Sequence, residues 1–154
     1  NAMYHYTATS NLIPSPYKNG EFNTEYAKEL EGNNAMSDFD GFGNTQRLVN
    51  LSGDFNVANA CWNYNDGVSN LQWYLPSIGE LGFLIARSFT FSENCRIIGG
   101  AGLVSSSGSS YWSSTEYATS SAYSVEGYTG RVGYLMKRQS THFRPFALLD
   151  PLVK

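Results

Sequence analysis

The last quarter of the chain, residues 111–149, carries short runs in which apolar and polar side chains alternate. Tyr123 and Val125 fall on one face of an extended strand, and the polar residue that follows each of them falls on the other face. A second run follows a turn at Thr129-Gly130, and a polar loop then leads to a final strand. The pattern predicts a hairpin and a further strand, with one face in the core and the opposite face free to meet a ligand.

The best-defined helix signal lies before this stretch. Ser77 follows Pro76, and Glu80 stands three residues after Ser77, which is the spacing of a capping box. In a capping box each side chain accepts a hydrogen bond from the other residue's backbone N–H at the helix start. The buried stripe predicted for this helix is Ile78, Leu81 and Ile85. The spacing predicts a core helix that packs on the sheet.

Weaker patterns predict further elements. They predict an edge strand over Tyr4–Ile13 and a helix over Thr24–Glu31. A second predicted helix runs through Leu51, with Asn44 or Thr45 as its cap. A third is capped by Asp54 and has Val57, Cys61 and Tyr64 on its apolar face. Residues 89–96 are interpreted as the way out of the capping-box helix, and the Gly/Ser-rich residues 99–110 as a flexible surface connector. Helices first and strands afterwards predict an α+β fold, with helices against a mainly antiparallel sheet.

The length of 154 residues suits one domain. Residues 1–3 are interpreted as a cloning remnant with a start residue, which leaves 4–154 as the domain. Residues 111–154 carry five basic and three acidic side chains, against five and ten in residues 1–110. This charge bias is too weak to predict a nucleic-acid partner. No apolar run has membrane-spanning length, so direct membrane insertion is not expected.

Aromatic residues make up 15% of the chain, with 11 Tyr and 9 Phe. Tyr offers an apolar ring together with a hydrogen-bonding hydroxyl group, so its abundance favours a recognition surface. A β-rich core built from aromatic residues explains the same composition. The two cysteines, Cys61 and Cys95, are too few for a disulfide scaffold. They are two free thiols or one bridge, and the position of Cys61 on an apolar helix face favours free thiols.

Asp38 and Asp40 have the spacing of the first ligands in a calcium-binding loop. That loop needs a bidentate Glu at its twelfth position, where this chain has Val49. The alternative is a Gly-rich turn that precedes a helix. The sequence therefore predicts neither a metal site nor a cofactor.

Four motifs occur in a fixed order: Trp-Tyr-Leu-Pro-Ser-Ile-Gly-Glu-Leu at 73–81, Tyr-Trp-Ser-Ser-Thr-Glu at 111–116, Ala-Tyr-Ser-Val at 122–125 and Phe-Arg-Pro-Phe at 143–146. Over residues 38–149 the chain resembles the Fibrobacter succinogenes major paralogous domain group. That group is related to the C-terminal domain of Legionella collagen-like adhesins and is abundant in Bacteroides-type bacteria. Two positions depart from the family pattern, with Tyr123 in place of Trp and Phe143 in place of Val, and both keep a bulky side chain.

The resemblance implies a C-type lectin-like fold, in which two main helices pack on a small, strongly twisted sheet and the chain ends lie close together. It also implies a non-catalytic binding module at the cell surface, outside the cell or on a phage particle. Some relatives are variable proteins of diversity-generating retroelements, in which polar positions of the terminal stretch are mutated to change the ligand. The motifs by which sugar-binding lectins hold calcium, Glu-Pro-Asn or Gln-Pro-Asp with Trp-Asn-Asp, do not occur in this sequence.

The positions that correspond to the variable ones are Ser124, Glu126, Tyr128, Arg131, Gly133, Tyr134, Leu135, Met136, Arg138, Gln139, Thr141 and His142. The predicted ligand contacts among them are Ser124, Glu126, Tyr128, Arg131, Tyr134, Met136, Arg138, Gln139 and Thr141. His142 is interpreted as a surface loop residue. The mixture of Tyr, Arg and small polar residues is typical of a selected binding surface.

Three functions are compatible with these observations. The leading hypothesis is recognition of a protein or glycan by the outward face of the terminal sheet, with Tyr and Arg as anchors. An assembly subunit of a fimbria or a phage tail is an alternative, and the oligomeric state is open. An enzyme is a further alternative because the same fold hosts enzymes. However, Cys61 and Cys95 are far apart in the sequence and no His lies near either.

Seven residues are predicted to have structural roles: Trp73, Pro76, Ser77, Glu80, Trp112, Glu116 and Arg144. Trp73 and Trp112 are predicted to lie in the core because each belongs to an apolar strand. Glu116 and Arg144 are predicted to pair within the sheet, because an unpaired buried charge is strongly destabilising.

Overall fold

The computed structural model describes residues 3–5, 32–50, 55–67, 70–104, 106–118 and 120–148. These residues form an α+β fold, as the sequence predicts. The helix predicted over Thr24–Glu31, most of the strand predicted over Tyr4–Ile13, and the cap at Asp54 lie outside the described residues. No helix in the described ranges is both long and apolar enough to cross a membrane.

The described residues contain a short 3₁₀ helix, four α-helices and seven strands. The 3₁₀ helix covers Gly32–Ser37, and the α-helices are α1 (Gly41–Asn50), α2 (Asn56–Trp62), α3 (Ile78–Ile85) and α4 (Ser88–Ile97). The strands are β1 (Met3–His5), β2 (Trp73–Tyr74), β3 (Ser110–Ala118), β4 (Ser121–Glu126), β5 (Val132–Met136), β6 (Ser140–His142) and β7 (Phe146–Ala147).

Two sheets organise the strands. The larger has the order β1-β6-β3-β4-β5, and β2 and β7 form a separate antiparallel pair. Within the larger sheet β3 and β6 are parallel, and its other described pairings are antiparallel. The backbone of Met3 pairs with that of His142 at the edge of this sheet. The backbone of Met3 therefore takes part in the sheet.

Helices cover both faces of the central strands. On one face α3 contributes to a buried cluster of Ala35, Ile78, Leu81, Ile85, Tyr111, Tyr123 and Val125. On the opposite face α1 and α2 contribute to a buried cluster of Leu48, Phe55, Val57, Ala58, Cys61, Leu75, Trp112 and Ala122. Each large apolar side chain buried in this way contributes about 1.5–3 kcal/mol to folding. The prediction of a free second face is therefore wrong at the centre of the sheet.

The capping box at the start of α3 is confirmed. The Ser77 hydroxyl accepts from the Glu80 N–H, and the Glu80 carboxylate accepts from the Ser77 N–H at 2.8 Å. The stripe of Ile78, Leu81 and Ile85 is buried, as the spacing predicts. The Ser77 hydroxyl also donates to the backbone carbonyl of Asp38 at 2.7 Å. The same side chain thus starts the helix and joins it to the preceding segment.

The other helices differ from the predictions at their ends. Helix α1 begins at Gly41, because the carboxylate of Asp40 accepts from the Gly43 N–H at 3.0 Å and caps the first turn. Asn44 and Thr45, the predicted caps, are buried inside the helix. Helix α2 ends before Tyr64. Helix α4 lies where the sequence predicts only a connection over 89–96. None of its residues is buried, so the helix does not need the apolar stripe by which a helix is recognised in a sequence.

Hydrogen bonds fix the Gly/Ser-rich connector at several points. The Leu103 N–H donates to the Ser92 hydroxyl at 3.2 Å, and the Val104 N–H donates to the Tyr111 hydroxyl at 2.6 Å. Farther along, the Gly108 N–H donates to the Glu126 carboxylate at 3.1 Å. The segment runs along the surface, as predicted, but it is tethered to a helix and to two strands.

Trp112 is fully buried beside α1 and α2, so its predicted core position is confirmed. Trp73 is only half-buried, and its ring meets that of Tyr64 edge to face at a centroid distance of 5.2 Å. Because Tyr64 is 48% exposed, this aromatic pair is part of the surface. The prediction that Trp73 lies in the core is therefore wrong, since the two-residue strand β2 buries Tyr74 instead.

Candidate functional site

The hairpin formed by β4 and β5 contains most of the predicted ligand contacts. Its turn is closed by hydrogen bonds from the Gly130 N–H to the Glu126 carbonyl at 2.8 Å and from the Glu126 N–H to the Arg131 carbonyl at 2.9 Å. Gly130 has a φ of +71°, a conformation that residues with a Cβ rarely adopt. The turn predicted at Thr129-Gly130 is therefore confirmed.

Strand β5 lies at the edge of the sheet, and its side chains alternate between core and solvent. Leu135 points to the cluster formed with α1 and α2. Val132, Tyr134 and Met136 point to the opposite side, with exposed fractions of 37%, 55% and 37%. They share the side of Tyr123, because Tyr123 pairs directly with Tyr134. The α3 helix covers this side over Tyr123, but these three β5 side chains remain exposed.

Tyr117 on β3 completes this exposed surface. Its ring stacks on that of Tyr134 with a centroid distance of 4.0 Å and an interplanar angle of 2°. It also meets the ring of Tyr123 edge to face at 5.2 Å. The exposed side chains of Tyr117, Val132, Tyr134 and Met136 are called the β5 face below. The two stacked rings of the β5 face support each other, so their positions are fixed within the protein.

Polar groups stand at the hairpin end of the β5 face. Tyr128 is 66% exposed, and Arg131 is also exposed. Glu126 accepts from the Thr129 hydroxyl at 2.7 Å and from the Gly108 N–H, and these hydrogen bonds hold the pKa of the Glu126 carboxyl below its usual range. The carboxylate is therefore engaged within the protein, whereas the Arg131 guanidinium faces solvent.

A concavity of about 840 Å³ borders the β5 face. Glu126, Arg131 and Tyr134 line it, and so does Met36 from the 3₁₀ helix. Met36 is 37% exposed and has a flexible side chain. The surface therefore extends from the hairpin onto a second element.

At the other end of β5, Arg138 and Gln139 are exposed in the turn that leads to β6. The Gln139 side chain accepts from the Met136 N–H at 3.0 Å, so it also closes this turn. The structure thus assembles seven of the nine predicted ligand contacts along one hairpin: Glu126, Tyr128, Arg131, Tyr134, Met136, Arg138 and Gln139.

Two predicted contacts are almost fully buried. Ser124 is 3% exposed, on the face that α1 and α2 cover. Thr141 is 7% exposed, and its hydroxyl donates to the Ser110 carbonyl at 2.7 Å. His142 is not in a surface loop either. It is half-buried in β6 against Tyr111, and its buried Nδ1 has no hydrogen-bond partner in the described part of the chain.

The predicted pair of Glu116 and Arg144 is wrong. The Glu116 carboxylate is bound by the Lys137 ammonium group at 2.6 Å, and both side chains are 4% exposed. Burial raises the pKa of Glu116, although the Lys137 charge opposes this shift. Arg144 instead donates to the backbone carbonyls of Ala101 and Gly102 at 3.0 and 2.8 Å.

Strand alternation indicates the face of both residues that the sequence analysis missed, although it does not pair Lys137 with Glu116. Tyr117 lies six residues after Tyr111, so it falls on the same face of β3. Lys137 follows Met136 and therefore falls on the face opposite to the β5 face, where Glu116 also lies. Continuing the strand alternation one residue beyond the Tyr111–Glu116 motif would have assigned Tyr117 to this face.

The acidic residues before α1 bind groups of the protein itself. The Asp38 carboxylate accepts from the Thr115 hydroxyl at 2.6 Å and from the Asn44 side-chain amide at 2.9 Å. The Asp40 carboxylate accepts from Gly43 and from Arg47. Within the described residues, no three His, Cys, Asp or Glu side chains are grouped so that they could hold a metal ion. This geometry favours the structural alternative, a turn that starts a helix.

Both cysteines are free thiols. Cys61 is fully buried on α2, and burial raises the pKa of its thiol, which keeps it protonated. Cys95 lies on α4 and is half-buried.

Comparison of the chain with protein-family models, curated proteins and solved structures gives no match. The geometry of the β5 face is therefore the observation from which a function is proposed.

Proposed function

We propose that this chain is a non-catalytic recognition domain of the C-type lectin-like fold that binds a protein partner through the β5 face. The observation that carries the proposal is the Tyr117–Tyr134 stack on an edge strand, with exposed arginines on both sides. The motif resemblance over residues 38–149 supports both the C-type lectin-like fold and the recognition role. The exposed hairpin positions also coincide with those that vary in retroelement-diversified relatives, which makes this chain a candidate variable protein.

The composition of the β5 face favours a protein partner over a glycan. Tyr, Met and Arg are enriched in the centres of protein interfaces. A sugar ring stacks on an open aromatic face, but one face of the Tyr134 ring is covered by Tyr117. Val132 and Met136 add apolar surface on the same strand. Val offers a sugar hydroxyl no hydrogen bond, and Met offers only a weak acceptor.

The charges beside the β5 face indicate the chemistry of the partner. Arg131 and Arg138 are exposed at its two ends. The nearby Glu126 carboxylate already accepts two hydrogen bonds from the protein. A partner with an apolar centre and acidic residues at its rim therefore fits this surface, because complementary charge speeds encounter and fixes orientation.

The proposal is tested by a binding screen against displayed cell-surface proteins of bacterial and host cells, with a glycan array in parallel. The double variant Arg131→Ala/Tyr134→Ala removes one cation and one aromatic anchor. The control Phe89→Ala/Arg96→Ala removes one aromatic ring and one cation from α4, where Phe89 is 81% exposed and the Arg96 side chain 72%. We expect the first variant to weaken binding of an identified protein about 30-fold or more, and the control to bind like the unaltered chain.

Other outcomes contradict the proposal in distinct ways. Binding that survives in the β5 variant moves the site elsewhere. A signal confined to the glycan array, and lost in the variant, replaces the protein partner by a glycan. Absence of binding in both screens removes the recognition function.

An assembly subunit is a second candidate, because α4 and its end expose large apolar side chains. Phe89, Ile97 and Ile98 are 81%, 74% and 82% exposed. Exposed apolar surface of this kind marks contact sites in many proteins. In sedimentation experiments, an oligomer that dissociates in Phe89→Ala/Arg96→Ala would support this candidate, and a monomer would remove it.

A further inference from the structure

A cleft of about 740 Å³ lies on different residues from those of the β5 face. It is lined by elements that include α2, β2, α4 and the segment before β7. Its principal lining side chains are Tyr64, Trp73, Phe91, Phe143, Arg144 and Phe146. The volume falls within the range of about 300–1,000 Å³ that is usual for small-molecule sites. No residue of this cleft is among the predicted ligand contacts.

Aromatic rings form the walls of the cleft and keep each other in place. Tyr64 and Trp73 meet edge to face, and Phe146 meets the buried Tyr74 in the same manner at 6.2 Å. Phe143 packs against the buried cluster under α1 and α2. Walls anchored in this way hold their positions when a flat apolar group enters between them.

Arg144 places a positive charge at these walls. Its Nη2 donates one hydrogen bond to the Ala101 carbonyl and one to the Gly102 carbonyl, and the guanidinium lies 5.6 Å from the centre of the Phe91 ring. Neither carbonyl carries a charge. In the described ranges, no carboxylate forms an ion pair with Arg144.

The contacts of Arg144 leave donors for a ligand. A guanidinium group has five N–H donors, and two of them are used by the two carbonyls. The remaining three belong to Nε and Nη1. A half-buried cation whose protein partners are all neutral is complementary to an anion that brings its own negative charge.

We propose that the cleft binds a small carboxylate with a flat aromatic body, whose carboxylate meets Arg144 and whose ring lies against Trp73 and Phe91. Both parts of this ligand match the cleft. An inorganic anion would leave the aromatic walls in water, and an uncharged aromatic compound would leave the guanidinium charge without a counterion. The ligand class therefore follows from the charge and the walls together.

The probes for the test are 2-naphthoate and 2-naphthamide, which share one ring system and differ in charge. Dissociation constants are measured by isothermal titration calorimetry with the unaltered chain. We expect 2-naphthoate to bind about 10-fold more tightly than 2-naphthamide, because only the carboxylate forms a charge-assisted hydrogen bond with Arg144. Added salt should weaken 2-naphthoate binding and leave 2-naphthamide binding unchanged.

Three variants locate the binding. Arg144→Gln should remove the difference between the two probes by weakening only 2-naphthoate about 10-fold. Phe91→Ala should weaken both probes. Arg96→Gln removes an exposed positive charge from the same helix as Phe91, outside the cleft lining, and should leave both dissociation constants unchanged.

Equal binding of the two probes by the unaltered chain overturns the proposal, and so does failure to bind 2-naphthoate at about 1 mM. This comparison does not depend on whether Arg144→Gln folds. Equal weakening of 2-naphthoate by Arg96→Gln and Arg144→Gln would also overturn it, because the effect would then come from net charge. Arg131→Ala/Tyr134→Ala should keep 2-naphthoate binding, which separates this site from the β5 face.

Discussion

Lys137 and Glu116 form the most deeply buried ion pair in the described residues, with 4% of each side chain exposed. Taking two charges out of water is unfavourable, and their mutual attraction at 2.6 Å offsets that cost only while both are present. Burial lowers the pKa of Lys137 and raises that of Glu116, which disfavours the charged form of each group, and the charge of the partner opposes both shifts. Removing one partner is therefore expected to be worse than removing both.

We expect Lys137→Met to lower the free energy of unfolding by about 3 kcal/mol, because it leaves the Glu116 carboxylate buried without a cation. The double variant Glu116→Met/Lys137→Met should regain most of that loss, since no buried charge remains. Urea unfolding followed by circular dichroism measures both. If the double variant is less stable than Lys137→Met, the charged pair itself stabilises the fold and the prediction is wrong.

For a single buried charge such as that of Glu116, the sequence predicts that a residue of opposite charge lies nearby but not which residue it is. Glu116 lies in an apolar run, so a nearby cation follows from physics alone. The sequence favours Arg144 as that cation, because Arg144 also lies among apolar residues. The register between β3, β4 and β5 places Lys137, and not Arg144, beside Glu116. That register depends on the bulges in β3, which no residue pattern marks.

Two glycines of α3 show how an element depends on what packs against it. A Cβ at Gly79 would overlap the backbone carbonyl oxygens of Asp38 and Met36. A Cβ at Gly82 would meet only the flexible side chain of Met36, which is 37% exposed and can move aside. The same substitution should therefore have opposite effects at positions three residues apart.

We expect Gly79→Ala to destabilise the protein by about 2 kcal/mol or more, because backbone atoms would have to shift. Gly82→Ala should be neutral or stabilising by up to about 1 kcal/mol, since Ala favours helix more than Gly does. Thermal unfolding of the two variants beside the unaltered chain compares them. Similar changes in both would mean that the approach of the 36–38 segment to α3 is looser than described.

Elements with a complete local signal could be predicted, and the others could not. The capping box and the buried stripe of α3 are both visible in sequence, as is the turn at Thr129-Gly130. Helix α4 has no buried residue, so it has no apolar period from which to predict it. Seven of the nine predicted ligand contacts lie on the hairpin, where the family resemblance implies them, and their contact with a ligand stays a prediction. Alternation alone indicates the opposite face, because the β5 face lies on the side of Tyr123. Ser124 and Thr141 could not be excluded, because their burial comes from distant elements.

Across the whole molecule, Asp38 joins the layers on the two sides of the sheet. Its carboxylate accepts from Asn44 of α1 and from Thr115 of β3, while its backbone carbonyl accepts from Ser77 and from Gly79 of α3. The residue is 3% exposed. One buried residue thus contacts a helix on each face and the strand between them. These hydrogen bonds join residues that are far apart in the sequence, so no local sequence pattern predicts them.

We expect Asp38→Asn to destabilise the protein by about 2 kcal/mol, because the amide that replaces one carboxylate oxygen cannot accept from a buried donor. Hydrogen exchange should then accelerate together in α1, α3 and β3, since the three elements meet at this side chain and should open as one unit. The matched control is Asp40→Asn. Its side chain is 57% exposed, and Asn caps a helix about as well as Asp, so the change should stay within about 1 kcal/mol. Faster exchange confined to α1 would show that the two helix layers open separately, and Asp38 would then stabilise only the start of α1.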